Sequence, residues 1–190
     1  MDRKLVPDEK HFHIINAKYN SFQRFLLKNG MFPHKETSLG FWGVTPTREV
    51  FEFFSQIRLQ EHSKFLDLGS GDGRVVLIAS LFGVEAHGLE IDPWLINVSL
   101  HIRRELDLPY FARTKFLEKN FLEHPLHEYD VLYTSPDKPF YREDFETKLL
   151  NEINPNGNLI VHGWEFHPRF LKKIEEHIIN GEKFSIYSLN

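Results

Sequence analysis

The stretch Phe65-Leu66-Asp67-Leu68-Gly69-Ser70-Gly71-Asp72-Gly73-Arg74 constrains this chain more than any other. A short apolar run with the pattern of a buried strand passes directly into three alternating glycines and then into a helical pattern. Glycine permits the tight turn and lets backbone amides approach a ligand closely. In open α/β sheets, ligands sit at the carboxyl ends of the strands, which is where this loop falls.

The surrounding pattern agrees with such a sheet. Residues 64–68, 85–90, 115–120, 130–134 and 158–162 read as strands, and 183–189 as a last one. Residues 74–82, 93–106, 142–153 and 167–179 read as helices between them, the second capped by Asp92-Pro93. This alternation predicts an α/β, Rossmann-like, mainly parallel sheet with helices on both faces. Upstream, Phe12, Ile15, Tyr19, Phe22 and Leu26 recur at helical spacing, so 9–29 predicts an amphipathic helix closed by Asn29-Gly30. Residues 31–43 read as a loop, punctuated by Pro33, Gly40 and Gly43. A second helix opens at Thr45-Pro46, with Thr45 as a cap, and runs to about Leu59. The expected organisation is an N-terminal helical extension over 1–44 and one α/β domain over 45–190.

Several ligand classes are excluded by the loop itself. A phosphate loop ends in Gly-Lys-Ser/Thr, whereas Arg74-Val75 follows Gly73. A dinucleotide loop places its third glycine where Arg74 stands. Asp67 and Asp72 flank the loop, and carboxylates beside a pyrophosphate repel it. They suit a ligand that carries an ammonium and a sulfonium and has no phosphate, as S-adenosylmethionine does. Seventeen residues after Gly73, a strand ends in Gly88-Leu89-Glu90-Ile91-Asp92. An acid placed there accepts hydrogen bonds from both hydroxyls of a ribose.

The chain has no cysteine, which removes disulfides, zinc–thiolate sites and a thiol nucleophile. Its 18 phenylalanines predict an aromatic core. The closest histidine pairs, His11/His13 and His124/His127, lack partners at a metal-binding spacing, so no metal is expected. No apolar run approaches the roughly 20 residues that span a bilayer. The start, Met1-Asp2-Arg3-Lys4, leads into a charged stretch, and a cytoplasmic location without membrane association is the default expectation. The net charge of −4 argues against a dedicated duplex nucleic-acid binder. Residues 1–45 nevertheless carry seven Lys/Arg against four Asp/Glu, a net of +3 that leaves −7 on the rest. A solvated helix face accounts for that imbalance.

Taken together, Asp67-x-Gly69-x-Gly71-x-Gly73 and Glu90 resemble the first motif and the ribose-binding acid of the class I S-adenosylmethionine-dependent methyltransferases. The resemblance covers about residues 45–165. It implies S-adenosylmethionine as cofactor, held by Asp67, Gly69, Ser70, Gly71, Asp72, Gly73, Glu90 and Ile91. It further implies that Asn120-Phe121 contacts adenine. The order Trp42-Gly43-Val44-Thr45-Pro46-Thr47, helix, glycine loop also resembles a compact family of archaeal and mitochondrial protein-lysine methyltransferases. In that family a Pro/Thr-rich turn lies near the cofactor's methionine end, which makes Thr45 a cofactor contact as well as a cap. The order of residues here departs from the family's Pro-Thr/Ser-Pro.

The acceptor is addressed by Thr134-Ser135-Pro136-Asp137-Lys138-Pro139-Phe140-Tyr141. It resembles the Asn/Asp-Pro-Pro-Tyr/Phe motif of amino-group methyltransferases but is interrupted by Asp137-Lys138. The resemblance implies that Ser135 and the Pro136 carbonyl accept hydrogen bonds from an amine and that Phe140 and Tyr141 wall its pocket. The segment Val161-His162-Gly163-Trp164 after the next strand is a further candidate lining. Protein lysine is the expected acceptor. RNA, a small molecule, or a cofactor-binding module without catalysis are the alternatives.

Overall fold

A computed structural model describes residues 8–136 and 142–189. Its core is a seven-stranded sheet made of β3 (Lys64–Leu68), β4 (Glu85–Glu90), β5 (Thr114–Glu118), β6 (Val131–Thr134), β7 (Asn158–His162), β8 (Lys172–Ile179) and β9 (Glu182–Ser188). The order is β5-β4-β3-β6-β7-β9-β8. The first five strands pair in parallel and the last two join antiparallel. The chain starts in the middle at β3, builds outward to β5, then returns to β6 on the other side. The strand order therefore reverses between β3 and β6, the place where an α/β sheet opens a ligand crevice.

Helices cover both faces: α2 (Thr47–Gln56), α3 (Arg74–Ser80), α4 (Pro93–Leu106) and α5 (Glu143–Glu152), preceded by α1 (Glu9–Lys28). Side chains of a strand alternate between faces. Thus Phe65 joins a core with Val50, Phe53, Phe54 and Val76, while Leu66 and Leu68 join a second core with Phe145 and Leu149. The many phenylalanines do form an aromatic core. Phe53 stacks on Phe184 at 4.3 Å and Phe12 on Phe51 at 4.4 Å. Burying each such ring contributes about 1.5–3 kcal/mol relative to leaving it in water. Through Phe12, Ile15 and Tyr19, α1 enters the same core as the sheet.

Three expectations need correction. Residues 31–43 hold a hairpin, β1 (Lys35–Thr37) with β2 (Gly40–Trp42), where a loop is expected. Helix α2 begins at Thr47 behind Pro46, and no side chain caps it, so Thr45 is not its cap. The helix expected over 167–179 is absent, since Lys172–Ile179 is strand β8 paired with β9. Asn180 and Gly181, with φ of +51° and +92°, make the two-residue turn between them, the left-handed geometry of a type I′ hairpin. That turn fixes the pairing more strongly than the helical spacing of Ile174 and Ile178 favours a helix.

Candidate active site

The glycine loop closes onto the end of β4. Gly69 and Ser70 both donate their amides to the Leu89 carbonyl, at 2.9 and 2.8 Å. Gly71 donates its amide to Glu90 Oε2 at 2.9 Å. Glu90 Oε1 accepts the amides of Ile91 and Asp92 at 2.8 and 2.9 Å. One carboxylate thus holds three backbone donors and locks the loop to the neighbouring strand. Burial raises the Glu90 pKa, and the three backbone hydrogen bonds oppose that rise.

Beneath the loop lies a cavity of about 280 Å³, close to the lower end for small-molecule sites. Asp67, Gly69, Ser70, Gly71, Asp72, Glu90, Ile91, Thr45, Phe121, Ser135 and Pro136 all line it. The fold therefore brings most of the sequence-derived candidates to one place. Gly73 and Asn120 lie outside this lining. A Cβ at Gly73 would sit 2.6 Å from the Phe116 ring and 2.7 Å from Ser99 Oγ, so this glycine serves helix–strand packing. Asn120 Oδ1 accepts the Leu122 amide and caps a short 3₁₀ turn. Tyr141 belongs to residues 137–141, outside the described residues.

The polar groups of the cavity differ in how well they are satisfied. Asp72 is fully engaged. Arg74 grips its carboxylate through Nε at 2.9 Å and Nη2 at 2.5 Å, both groups being buried. Arg74 also donates to the Thr45 carbonyl at 3.2 Å and lies over the Tyr19 ring at 4.7 Å. Tyr19 in turn donates its hydroxyl to the Asp72 carbonyl at 2.9 Å. This set ties α1, the Thr45 turn and the glycine loop together. Asp67 is the opposite case. It is 3% exposed and accepts no hydrogen bond among the described residues. Burial first, then the charges of Glu90 and Asp72, push its pKa well above the usual carboxylate range. Ser70 Oγ is also buried without a partner. A carboxylate and a hydroxyl left waiting on the wall of a cavity call for a ligand that brings donors or positive charge.

Trp42 closes the cavity from above. The hairpin β1–β2 delivers its indole onto the loop, where it is 6% exposed and packs with Leu26 and Leu95. A Cβ on Gly71 would lie 2.4 Å from Trp42 Cδ1. Gly71 also has φ +53°, a left-handed value. Close approach and conformation both require glycine there. Trp42 supports the loop as much as it shapes any acceptor mouth.

A second, more open cleft of about 470 Å³ adjoins the first and shares Phe41, Thr45, Ser135 and Pro136 with it. Its outer wall is Gly163, Trp164 and Glu165, with His162 and Glu182 behind. The Pro136 carbonyl lies 3.8 Å from where a Gly163 Cβ would stand. Lys119, Arg74 and Glu182 are lining residues that sequence reasoning did not single out. Ser135 follows β6, His162 ends β7 and Glu182 opens β9, so only the pairing of those strands brings them together.

Comparison with known proteins adds identity to this geometry. The chain is 26% identical over 122 residues to the human ATP synthase lysine N-methyltransferase, covering 63% of this chain and 50% of that protein. It is 26% identical over 124 residues to the phosphoethanolamine N-methyltransferase of Plasmodium falciparum, covering 63% and 44%. It spans about half the length of the curated relatives it matches. The RNA methyltransferase from Salinibacter ruber, solved with S-adenosyl-L-homocysteine, superposes with a TM-score of 0.63 at 20% identity, over 77% of this chain and 93% of that one. This last likeness establishes the methyltransferase-type Rossmann-like fold. The family model described as histone methylation protein DOT1 matches residues 33–135, from the hairpin through the glycine loop to Ser135, and the chain, more than half of which it covers, belongs to that methyltransferase family.

Proposed function

We propose that this chain is an S-adenosylmethionine-dependent methyltransferase that acts on an amine, foremost the ε-amine of a protein lysine. The observation that carries the reading is the pair of buried carboxylates, Asp67 and Glu90, lining one cavity under a glycine loop. Each carboxylate oxygen has lone pairs to spare after the backbone bonds are counted. Glu90 would hold the ribose hydroxyls, and Asp67 the ammonium of the methionine part, whose charge relieves its burial. Phe121 and Ile91 supply apolar walls for the adenine. When bound, the cofactor supplies a methyl group on a sulfonium, open to attack by a lone pair.

The remaining work falls to the shared wall. Ser135 and the Pro136 carbonyl present oxygens where the two cavities meet, and these orient an amine without a strong base. Phe41 and Trp164 flank the approach. The two relatives quoted above differ in acceptor, yet both names specify transfer to nitrogen. That common nitrogen supports an amine, and the lysine enzyme supports a protein.

The test is transfer of radiolabel from the methyl donor to whole-cell extract, with protease and nuclease controls. Protease-sensitive label residing on lysine is the expected outcome. Label confined to nuclease-sensitive material would replace the lysine reading with RNA. Calorimetry showing no binding of the donor or its demethylated product at millimolar concentration would reject the activity altogether.

A further inference from the structure

Behind the wall shared by the two cavities runs a short row of polar groups that the reading above does not use. Ser135 Oγ lies 2.9 Å from His162 Nδ1, and His162 Nε2 lies 2.8 Å from Glu182 Oε2. With Glu182 accepting from Nε2, Nδ1 is left to accept the Ser135 hydroxyl proton. The imidazole is 4% exposed and stacks on Phe184 at 4.5 Å. A phenylalanine at 162 would make that stack without burying a polar ring. The chain instead buries an imidazole and satisfies both nitrogens in a line. The inner end, Ser135, faces the cavity. The outer end, Glu182, lines the open cleft and keeps 36% of its side chain in water.

We propose that Ser135, His162 and Glu182 form a proton relay that removes a proton from the acceptor ammonium at the cavity wall and passes it toward solvent. The proposal rests on the amine-methyltransferase reading. The ammonium donates a hydrogen bond to Ser135 Oγ. The serine hydroxyl proton moves to His162 Nδ1 as the amine's proton moves to Ser135 Oγ. The ring becomes an imidazolium held by Glu182, and the amine is left neutral with a free lone pair. The ring later releases the proton through Glu182 to water, restoring the start. Ser135 touches the reacting amine, while His162 is a positioning and proton-holding residue acting through it.

The need for such a device follows from simple numbers. A lysine of pKa ≈ 10.4 is neutral only about once in 2,500 at pH 7. General base assistance of this kind contributes about 10²–10⁴ in rate. The charged and titratable groups facing His162 are Glu182 from β9, Tyr133 from β6 and, farther off, Glu49 from α2. Burial lowers the ring's pKa and the two carboxylates oppose it, so the ring rests neutral and ready to accept.

The decisive experiment follows methyl transfer to extract protein between pH 6.5 and 10 for wild type, His162→Asn and Glu182→Gln. Wild type should vary little across the neutral range. His162→Asn should be about 100-fold slower at pH 7 and recover about tenfold per pH unit toward the wild-type rate near pH 10. Glu182→Gln, which alters a part-exposed side chain and spares the core, should lose about tenfold with the same recovery. Affinity for S-adenosylhomocysteine should stay within twofold in both. A variant that keeps the wild-type profile, or loses the same factor at every pH, overturns the relay. If wild type labels no protein, the lysine reading fails, and the relay is judged without turnover. Nitrogen NMR of the imidazole in the S-adenosylhomocysteine complex, titrated with n-butylamine, should show the proton on Nε2 before the amine and on both nitrogens after it. Ser135→Ala should abolish that change. A proton already on Nδ1, or a ring unmoved by amine, would reject the proposal.

Discussion

The cavity under the glycine loop and the cleft beside it share four residues yet are built on opposite plans. The cavity is closed by Trp42, floored by two buried carboxylates, and held by backbone hydrogen bonds that leave almost no freedom. The cleft is open, with Trp164 56% exposed and Glu165 beside it in solvent. A site that grips one constant small molecule is preorganised by the backbone. A site that receives the end of a side chain from another molecule needs an entrance, and its exposed side chains stand free of the core. The difference teaches that changes in the first should cost both binding and fold, while changes in the second should cost acceptor recognition alone.

The contrast is broken most severely at Gly71. Any side chain there meets Trp42 and sits in a left-handed conformation that costs an L-residue roughly 1–2 kcal/mol. Gly71→Arg should abolish detectable binding of S-adenosylmethionine by calorimetry. Retention of affinity within tenfold would mean that the loop is not the cofactor's seat.

A middle effect is expected at Asp67, with stability and binding moving in opposite directions. Asp67→Asn removes a buried charge, so the free protein should melt about 2–4 °C higher at pH 7, the shift that roughly 1 kcal/mol makes in a chain this size. Cofactor affinity should fall by about 10–100-fold, the worth of a hydrogen bond to a charged group. Burial raises the Asp67 pKa in the folded state above its unfolded value. Between those two values the native chain holds a proton that the unfolded chain releases, so this residue's contribution to stability declines as pH rises through that window. Melting curves of the two proteins should therefore nearly coincide near pH 4 and separate as pH climbs. Curves that stay parallel would place the charge elsewhere.

The smallest effect is expected in the open cleft. Trp164 is exposed, and its ring already lies under Lys183 Nζ at 4.4 Å. Trp164→Ala should raise KM for a protein acceptor by about 2–5-fold, as befits an exposed cation–π contact, and leave the affinity for S-adenosylhomocysteine untouched. A large loss of cofactor binding would show that the two cavities are not separable.

The sequence made the cavity far more legible than the cleft. The glycine loop demands φ values that other residues avoid, and Asp92-Pro93 is a helix start whose carboxylate does accept the Trp94 and Leu95 amides. Such signals are local and survive any tertiary context. Asp72 was legible as a loop acid but not as the buried partner of Arg74, because a motif reports spacing and not which neighbour claims a charge. Strand β8 misleads for a different reason. Its run Lys-Lys-Ile-Glu-Glu-His-Ile-Ile is largely exposed, and the register shift between Lys173 and Glu175 breaks the two-residue period by which a strand is recognised. The Ser135–His162–Glu182 row is invisible in the chain, since its members stand 27 and 20 residues apart and meet only through strand order.

The same strand has a consequence for the molecule in crowded solution. Strand β8 is the outermost of its side of the sheet and keeps Ile174 and Ile178 turned to water. An outer strand with free amides and carbonyls is a template on which another chain can add. Lys172, Lys173, Glu175 and Glu176 along it, together with its irregular register, act as gatekeepers that make such growth unfavourable. The charges that disguise this strand as a helix are thus the ones that keep the protein from polymerising along its own edge.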